Sequence, residues 1–183
     1  MNVTACIPTR GNVDMTEILA SLPKHWSVDI YDNSQETFDL QVLGRYISIN
    51  RVRNEVVYTQ DDDCILSPES FKMLEEAYEP GILVANMPDP FRAHYTDSCL
   101  VGFGAIFDRY LPQHAFDRLP ENGLAEFQRT CDVYFTTLTS QKWVDVPYTN
   151  LPWATGDDRM YRQLDHYGSR TAALMQARAL RDA

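Results

Sequence analysis

Three consecutive carboxylates, Asp61-Asp62-Asp63, follow directly on the β-branched and aromatic run Val56–Thr59. Neighbouring carboxylates repel one another and lose hydration near a core, so a strand ending in three of them favours a bound cation. On an extended strand Asp61 and Asp63 would share a face, roughly 6.6 Å apart, with Asp62 turned away or bonded to backbone amides. Such oxygen ligands suit Mg²⁺ or Mn²⁺, completed by water and phosphate oxygens. The alternative for this motif is a hydrated acidic turn.

Two more predicted strands end in polar residues. The first covers residues 2–8 and runs into Thr9-Arg10-Gly11, and the second covers residues 26–31 and runs into Asp32-Asn33-Ser34. A helix lies between them, so the segment is a β-α-β unit with a parallel pair and a right-handed crossover. In parallel sheets ligands bind beyond the carboxyl ends of the strands. The polar ends of the three strands therefore predict one common site.

The chain from about residue 99 onward supplies further predicted elements. A strand over residues 99–107 contains Gly102 and Gly104, and glycine inside a strand indicates a bulge or the close approach of another group. The other predictions are a helix in two pieces over 121–138, a strand over 143–146, an aromatic loop over 148–156 and a helix over 157–181.

Composition limits the class of protein. The length of 183 residues fits one domain over Met1–Ala183, and no apolar run approaches the length of a membrane span. Four scattered cysteines without a Cys-x-x-Cys pair argue against a zinc site or a disulfide framework. A soluble protein of the cytoplasm is expected. The net charge of −10 disfavours broad DNA binding but leaves room for a local nucleic-acid contact.

Five short motifs occur in a familiar order, and with them the chain resembles the GT-A glycosyltransferases, close to the inverting family-2 type. They are Ile-Pro-Thr-Arg-Gly at 7–11, Tyr-Asp-Asn-Ser at 31–34, Gln-Asp-Asp-Asp at 60–63, Gly-Phe-Gly-Ala at 102–105 and Cys-Asp-Val at 131–133. The resemblance implies a Rossmann-like α/β three-layer sandwich, with a mostly parallel central sheet flanked by helices. It also implies a nucleotide-diphosphate sugar as donor, UDP-glucose being the expected one, and Mn²⁺ or Mg²⁺ as cofactor.

The same resemblance implies roles for individual residues. The residues expected at the donor are Thr9, Arg10, Asp32, Arg45, Asp61, Asp62, Gly102 and Gly104. Asp61 and Asp63 would bind the metal ion that bridges the phosphates, and His166 would add a late ligand. Each has a plainer alternative: residues 32–34 also suit an ordinary turn, the glycine segment suits a twisted strand, and a single histidine suits a structural role.

Asp132 falls where the family has the aspartate that acts as general base. That residue deprotonates the acceptor hydroxyl while the hydroxyl attacks the anomeric carbon. The sequence departs from the family here, because Cys131 stands where a second acid is common. The alternative for Asp132 is a helix cap before Val133.

The sequence therefore predicts a metal-dependent, inverting glycosyltransferase with no membrane contact and an undetermined oligomeric state. Its acceptor would be a hydroxyl on a small molecule, a glycan or a hydroxymethylated pyrimidine in DNA. The pyrimidine is included because the chain resembles small bacteriophage enzymes that glycosylate such bases, and a phage-encoded protein would act in the host cytoplasm. Two other classes stay open. A nucleotidyltransferase would share the fold and the metal aspartates, although residues 8–11 match its Gly-rich loop poorly. A non-catalytic interaction or nucleotide-sugar-binding domain would keep the fold without the chemistry.

Overall fold

A computed structural model describes residues 1–124, 126–155, 162 and 164–183. The strands are β1 (Val3–Thr9), β2 (Ser27–Asp32), β3 (Val56–Thr59), β4 (Cys64–Leu66), β5 (Leu83–Asn86), β6 (Ala105–Asp108), β7 (Gln141–Val144) and β8 (Tyr148–Asn150). The α-helices are α1 (Thr16–Ser21), α2 (Leu43–Arg51), α3 (Pro68–Ala77), α4 (Asp89–Arg92), α5 (Leu111–Phe116), α6 (Phe127–Leu138) and α7 (His166–Arg181).

A six-stranded sheet in the order β2-β1-β3-β6-β5-β7 forms the centre of the fold. The pairs β1/β2, β1/β3 and β5/β7 are parallel, whereas β6 runs antiparallel to both β3 and β5. Within this sheet, all strands except β6 thus point the same way. The carboxyl ends of β1, β2 and β3 share one edge with the start of β6. The predicted α/β class, with its mostly parallel central sheet flanked by helices, is confirmed.

Alternation along the strands builds one apolar layer on each face of the sheet. On β1, Ala5 and Ile7 belong to a cluster that includes Ile18 of α1 and Phe71 of α3. Their neighbour Cys6 belongs to the cluster on the other face, with side chains of α2, α5 and α6. Because successive side chains of a strand point to opposite faces, a fully buried β1 needs helices on both sides. This requirement produces the three layers.

Several elements of the second half differ from the sequence prediction. The expected strand over residues 99–107 is reduced to β6, because a turn with Gly104 at φ 105° occupies the residues before it. The helix over 121–138 begins only at Phe127, and α5 was not predicted. The loop over 148–156 starts with β8, which pairs with β4 in a small antiparallel sheet. Strands as short as these depend on distant partners, which local patterns do not reveal.

The C-terminal helix α7 lies against α6. Ala173 and Ala177 of α7 are fully buried in a cluster with Val133 and Tyr134 of α6. The predicted start of this helix, residue 157, lies outside the described residues. Within the described part of the chain, no helix is long and apolar enough to cross a membrane.

Candidate active site

The end of β1 is joined directly to the acidic motif. Thr9 is the last residue of β1, and its hydroxyl donates a 2.7 Å hydrogen bond to a carboxylate oxygen of Asp62. The same hydroxyl accepts a 3.1 Å bond from the amide of Gly11. Thr9 and Asp62 are both buried. Asp62 thus turns inward to a side chain of the neighbouring strand, and its predicted contact with the donor stays a prediction.

Asp32 ends β2 beside Thr9, its partner in the parallel register. Its carboxylate accepts bonds from the amide of Ser34 at 2.9 Å and from the side chain of Gln35 at 3.2 Å. Hydrogen bonding to Ser34, through its side chain and its backbone, lowers the pKa of Asp32. These bonds close a short 3₁₀ turn, so the turn predicted for residues 32–34 is present.

A close approach of backbone to side chain brings residues 9–11 next to this turn. A Cβ atom at Gly11, where φ is 74°, would lie 2.5 Å from a carboxylate oxygen of Asp32. Only glycine fits there without displacing Asp32. Arg10 reaches away toward Asp39, with 3.8 Å between Nε and a carboxylate oxygen. Thr9, Arg10 and Asp32 are therefore neighbours, as the strand-end argument predicts.

The acidic motif itself lies in a turn and not on a strand. β3 ends at Thr59, and the side-chain amide of Gln60 donates a 2.7 Å bond to the carbonyl of Cys64. The face-sharing geometry predicted for Asp61 and Asp63 on an extended strand is therefore wrong, because the chain has already begun to reverse. Burial, and then the negative charges of Asp63, Asp61 and Asp62, raise the pKa of the Cys64 thiol.

Backbone contacts from later segments hold this turn. The amide of Asp61 donates a 2.8 Å bond to the carbonyl of Gly102, and the amide of Leu151 donates a 2.8 Å bond to the carbonyl of Asp63. The indole N–H of Trp153 donates a 2.8 Å bond to the carbonyl of Asp62. Trp153 also packs against the core.

Both predicted glycines lie where a side chain would collide. A Cβ atom at Gly102 would lie 2.1 Å from a carboxylate oxygen of Asp61. A Cβ atom at Gly104 would lie 2.9 Å from the hydroxyl of Tyr58, and its positive φ also favours glycine. The missing side chains admit protein groups here, which accounts for both glycines. Their contact with the donor sugar stays a prediction.

Arg45, on the first turn of α2, forms a bridge between Asp61 of the acidic motif and Asp132 of α6. Its Nη1 donates to Asp132 at 2.5 Å, its Nη2 pairs with Asp61, and its Nε donates to the hydroxyl of Thr59 at 3.0 Å. The side chain of Arg45 is only 1% exposed, whereas those of Asp132 and Asp61 are 20% and 45% exposed. The guanidinium therefore lies behind the two carboxylates. This differs from the contact with the donor that was expected for Arg45.

Asp132 lies inside α6 and faces this bridge. It is well within the helix Phe127–Leu138, so the helix-cap alternative is wrong. Its second carboxylate oxygen accepts a 2.6 Å bond from the hydroxyl of Tyr46. An ionised carboxylate has about four acceptor positions, so two bonds leave room for a substrate hydroxyl. The neighbouring Cys131 is fully buried, and burial raises its pKa, so it does not replace a second acid.

The residues present provide hard oxygen donors for a cation. The exposed part of Asp61 and the adjacent Asp63 fit an ion that takes one or two carboxylates and completes its shell with phosphate oxygens. Among the described residues, no three His, Cys, Asp or Glu side chains form a metal-binding group. His166 therefore does not join the aspartates in such a group. Its role as a ligand stays a prediction.

His166 opens α7, near Arg170 and Arg129. Burial, followed by the positive charges of these two arginines, lowers the pKa of His166. The neutral imidazole is thereby favoured, which is the form that binds metal ions.

Sequence reasoning missed Tyr46 and Thr59. Thr59 bonds to Arg45 and Tyr46 bonds to Asp132. In the sequence, however, Tyr46 is one of several apolar residues of a predicted helix and Thr59 is an ordinary strand residue. One local signal is Gly44, where a Cβ atom would lie 2.5 Å from the ring of Tyr31. This close packing of α2 on β2 brings Arg45 and Tyr46 to the sheet edge.

A three-layer α/β fold with acidic groups at the strand ends is thus the class that the structure defines. Comparison with solved structures finds the same fold in S. aureus TarS, with 16% identity over 79% of this chain and a TM-score of 0.52. A structure of TarS 1-349 in complex with UDP gives 15% identity, 79% coverage and a TM-score of 0.52. The chain spans 35% of the first structure and 58% of the second. No family model and no curated protein sequence matches the chain.

Proposed function

We propose that this chain is a metal-dependent, inverting glycosyltransferase that uses a nucleotide-diphosphate sugar. The observation that carries the proposal is the meeting of Asp61 and Asp132 on one buried guanidinium at the carboxyl edge of the sheet. Ligands of open α/β sheets bind at this edge. The complex of S. aureus TarS with UDP, on the same fold, supports a uridine nucleotide as the donor's leaving group.

The donor would lie over the ends of β1 and β2. Thr9, Arg10 and Asp32 are neighbours there. Arg10 and Asp32 would offer guanidinium and carboxylate groups to ribose, phosphate and base, and Thr9, whose hydroxyl is bonded to Asp62, would line the same end of the sheet. Asp61 and Asp63 would hold Mn²⁺ or Mg²⁺, with His166 as a further ligand, and such an ion offsets the negative charge of the departing diphosphate. Gly102 and Gly104 would leave space on the sugar side.

Asp132 would act as the general base. It would accept the proton of the acceptor hydroxyl while the hydroxyl oxygen forms its bond to the anomeric carbon and the bond from that carbon to the diphosphate breaks. One displacement of this kind inverts the configuration. Arg45 and Tyr46 hold the carboxylate in place, and its remaining acceptor positions are available to the hydroxyl.

The acceptor is proposed as a hydroxyl group of a small molecule, a glycan or a hydroxymethylated pyrimidine in DNA. The net charge of −10 opposes the approach of DNA, so a DNA acceptor requires a local contact. A panel with one acceptor of each kind, assayed at low and high salt, distinguishes them, because only transfer to DNA falls steeply with salt.

Donor binding is tested by calorimetry and thermal shift with UDP and UDP-sugars, with and without Mn²⁺. We expect a shift that requires the metal, is lost in Asp63→Ala and persists in Asp132→Asn, whose release of UDP should fall by about a hundredfold or more. Asp117→Ala, an exposed carboxylate at the end of α5, is the matched control and should behave as wild type. Absence of UDP binding would reject the proposal, and binding without sugar release would indicate a non-catalytic nucleotide-sugar domain.

A further inference from the structure

One arginine links the side of the site assigned to the donor with the side assigned to the acceptor. We propose that Arg45 is the positioning residue of the transfer reaction and holds Asp132 at a fixed place relative to Asp61. The inference rests on the proposed function, because it assigns these two carboxylates to the base and to the donor side. Arg45 itself touches neither substrate in this arrangement, since its side chain is 1% exposed.

The direction of the Arg45 guanidinium is fixed by Thr59, on the side away from the two carboxylates. The hydroxyl of Thr59 donates its proton to the carbonyl of Cys6 at 2.8 Å. It is therefore left as an acceptor, and it accepts the bond from Nε of Arg45 at 3.0 Å. Because the guanidinium is planar, fixing Nε also fixes the directions of Nη1 and Nη2. These two nitrogens point to Asp132 and Asp61, respectively.

The backbone of Arg45 is equally constrained. Gly44 precedes it, and the absence of a Cβ atom there lets α2 pack closely on the ring of Tyr31. The next residue, Tyr46, is buried between Phe116 and Phe135, with ring centroids 5.0 and 5.6 Å away. Its hydroxyl donates to the second oxygen of Asp132. Two consecutive residues of α2 thus hold both oxygens of the base candidate.

The charges favour a permanent bridge. The guanidinium of arginine does not lose its proton in proteins, so Arg45 stays charged between the two carboxylates. One cation is shared between the two carboxylates and holds them together.

A lysine at position 45 would keep the charge and lose this geometry. Its ammonium is a point charge and cannot direct three bonds into a fixed plane. A displacement of the base by about 1 Å can slow a reaction by about a hundredfold. The nucleotide contacts proposed at β1 and β2 do not involve Arg45, and a lysine keeps a positive charge beside Asp61, so binding of UDP should change much less than turnover.

The experiment compares wild type, Arg45→Lys and Arg51→Lys. Arg51 is on the same helix but pairs with Asp29, so the second variant is a matched control for the substitution. The measurements are thermal unfolding, UDP affinity with Mn²⁺ by calorimetry, and the kcat and KM of UDP release from the UDP-sugar that wild type turns over fastest. For Arg45→Lys we expect kcat to fall by about tenfold to about a hundredfold, with KM and UDP affinity changed by less than about threefold.

Tyr46→Phe provides a second measurement if Arg45→Lys unfolds. It removes one donor to Asp132 without touching Asp61, and it should lower kcat by about threefold to about tenfold at unchanged UDP affinity. The inference is overturned if folded Arg45→Lys, or Tyr46→Phe where the lysine variant does not fold, turns over like wild type. It is also overturned if kcat falls only in proportion to UDP affinity. A wild-type protein that does not bind UDP rejects the proposed function itself, which is a different result.

Discussion

The hydroxyl of Thr9 donates a 2.7 Å hydrogen bond to Asp62, although 53 positions separate the two residues in the chain. The bond joins the end of β1 to the acidic turn and takes place between two buried side chains. Asp62, the middle aspartate of the motif, therefore has a structural role. Asp61 is the aspartate of the motif that pairs with Arg45.

Replacing Thr9 with valine should destabilise the fold. The buried carboxylate of Asp62 loses a hydroxyl donor, and the free energy of unfolding should fall by about 1–3 kcal/mol. Thr9→Ser keeps the hydroxyl and should recover most of this loss. Urea unfolding of the three proteins provides the measurement. Equal midpoints for the valine and serine variants would show that the bond contributes nothing.

Replacing Gly102 with alanine should move Asp61. The new methyl group would lie within 2.1 Å of a carboxylate oxygen, so Asp61 must rotate away from its present place. We expect UDP affinity in Mn²⁺ to weaken by about tenfold, a loss of about 1.4 kcal/mol. In an Asp61→Ala background the same substitution has no carboxylate to displace, so it should lower the free energy of unfolding less than it does with Asp61 present. If Gly102→Ala lowers the free energy of unfolding equally in both backgrounds, the collision is not the cause.

Neutralising both partners of Arg45 should cost more than the sum of the single changes. Asp61→Asn and Asp132→Asn each leave one carboxylate on the guanidinium, whereas the double variant leaves a buried cation with none. We expect an excess loss of about 1–3 kcal/mol in the free energy of unfolding. The excess should vanish in an Arg45→Met background. Chemical denaturation of wild type and the seven variants measures it, and strict additivity with Arg45 present would contradict the bridge.

The contacts of Asp97 with α7 should give a pH-dependent contribution to stability. Hydrogen bonds from Arg181 and then Arg178 lower the pKa of Asp97 below its ordinary value of 3.8. As the pH falls, the unfolded chain binds this proton first. The contribution is therefore present above pH 3.8 and is lost as the pH falls through the lower folded-state pKa. Asp97→Asn should unfold more easily than wild type near neutral pH, and the difference should shrink in acid. A constant difference across thermal melts at a series of pH values would contradict this.

The strand ends could be predicted because their physics is local. The β-α-β order of residues 3–32 and the handedness of its crossover fix a parallel pair, which brings Thr9 and Asp32 together. The third polar end follows once β3 joins β1 in parallel. For the same reason the prediction of one shared edge needed no knowledge of later elements.

The geometry within the acidic motif could not be predicted in this way. The turn is closed by Gln60, whose amide oxygen accepts a bond from the hydroxyl of Tyr58 while its amide N–H₂ reaches the carbonyl of Cys64. A glutamine makes such bonds only when a fold presents the partners. The link between Arg45 and Asp132 spans 87 positions, and no local pattern reports it. The pairing of β4 with β8 is missing from the prediction for the same reason.

The acidic turn is stabilised by residues that follow it by about 90 positions in the chain and are therefore synthesised well after it. The indole of Trp153, which bonds to the carbonyl of Asp62, follows it by 91 positions, and the amide of Leu151 binds the carbonyl of Asp63. Contacts of such long sequence separation form late in folding, since the entropy of closing the loop must be offset first. A nascent chain that has not yet reached Trp153 can pair β1 with β2 and β3 but lacks these two hydrogen bonds. The acidic turn should therefore reach its final conformation only after Trp153 has been added to the chain.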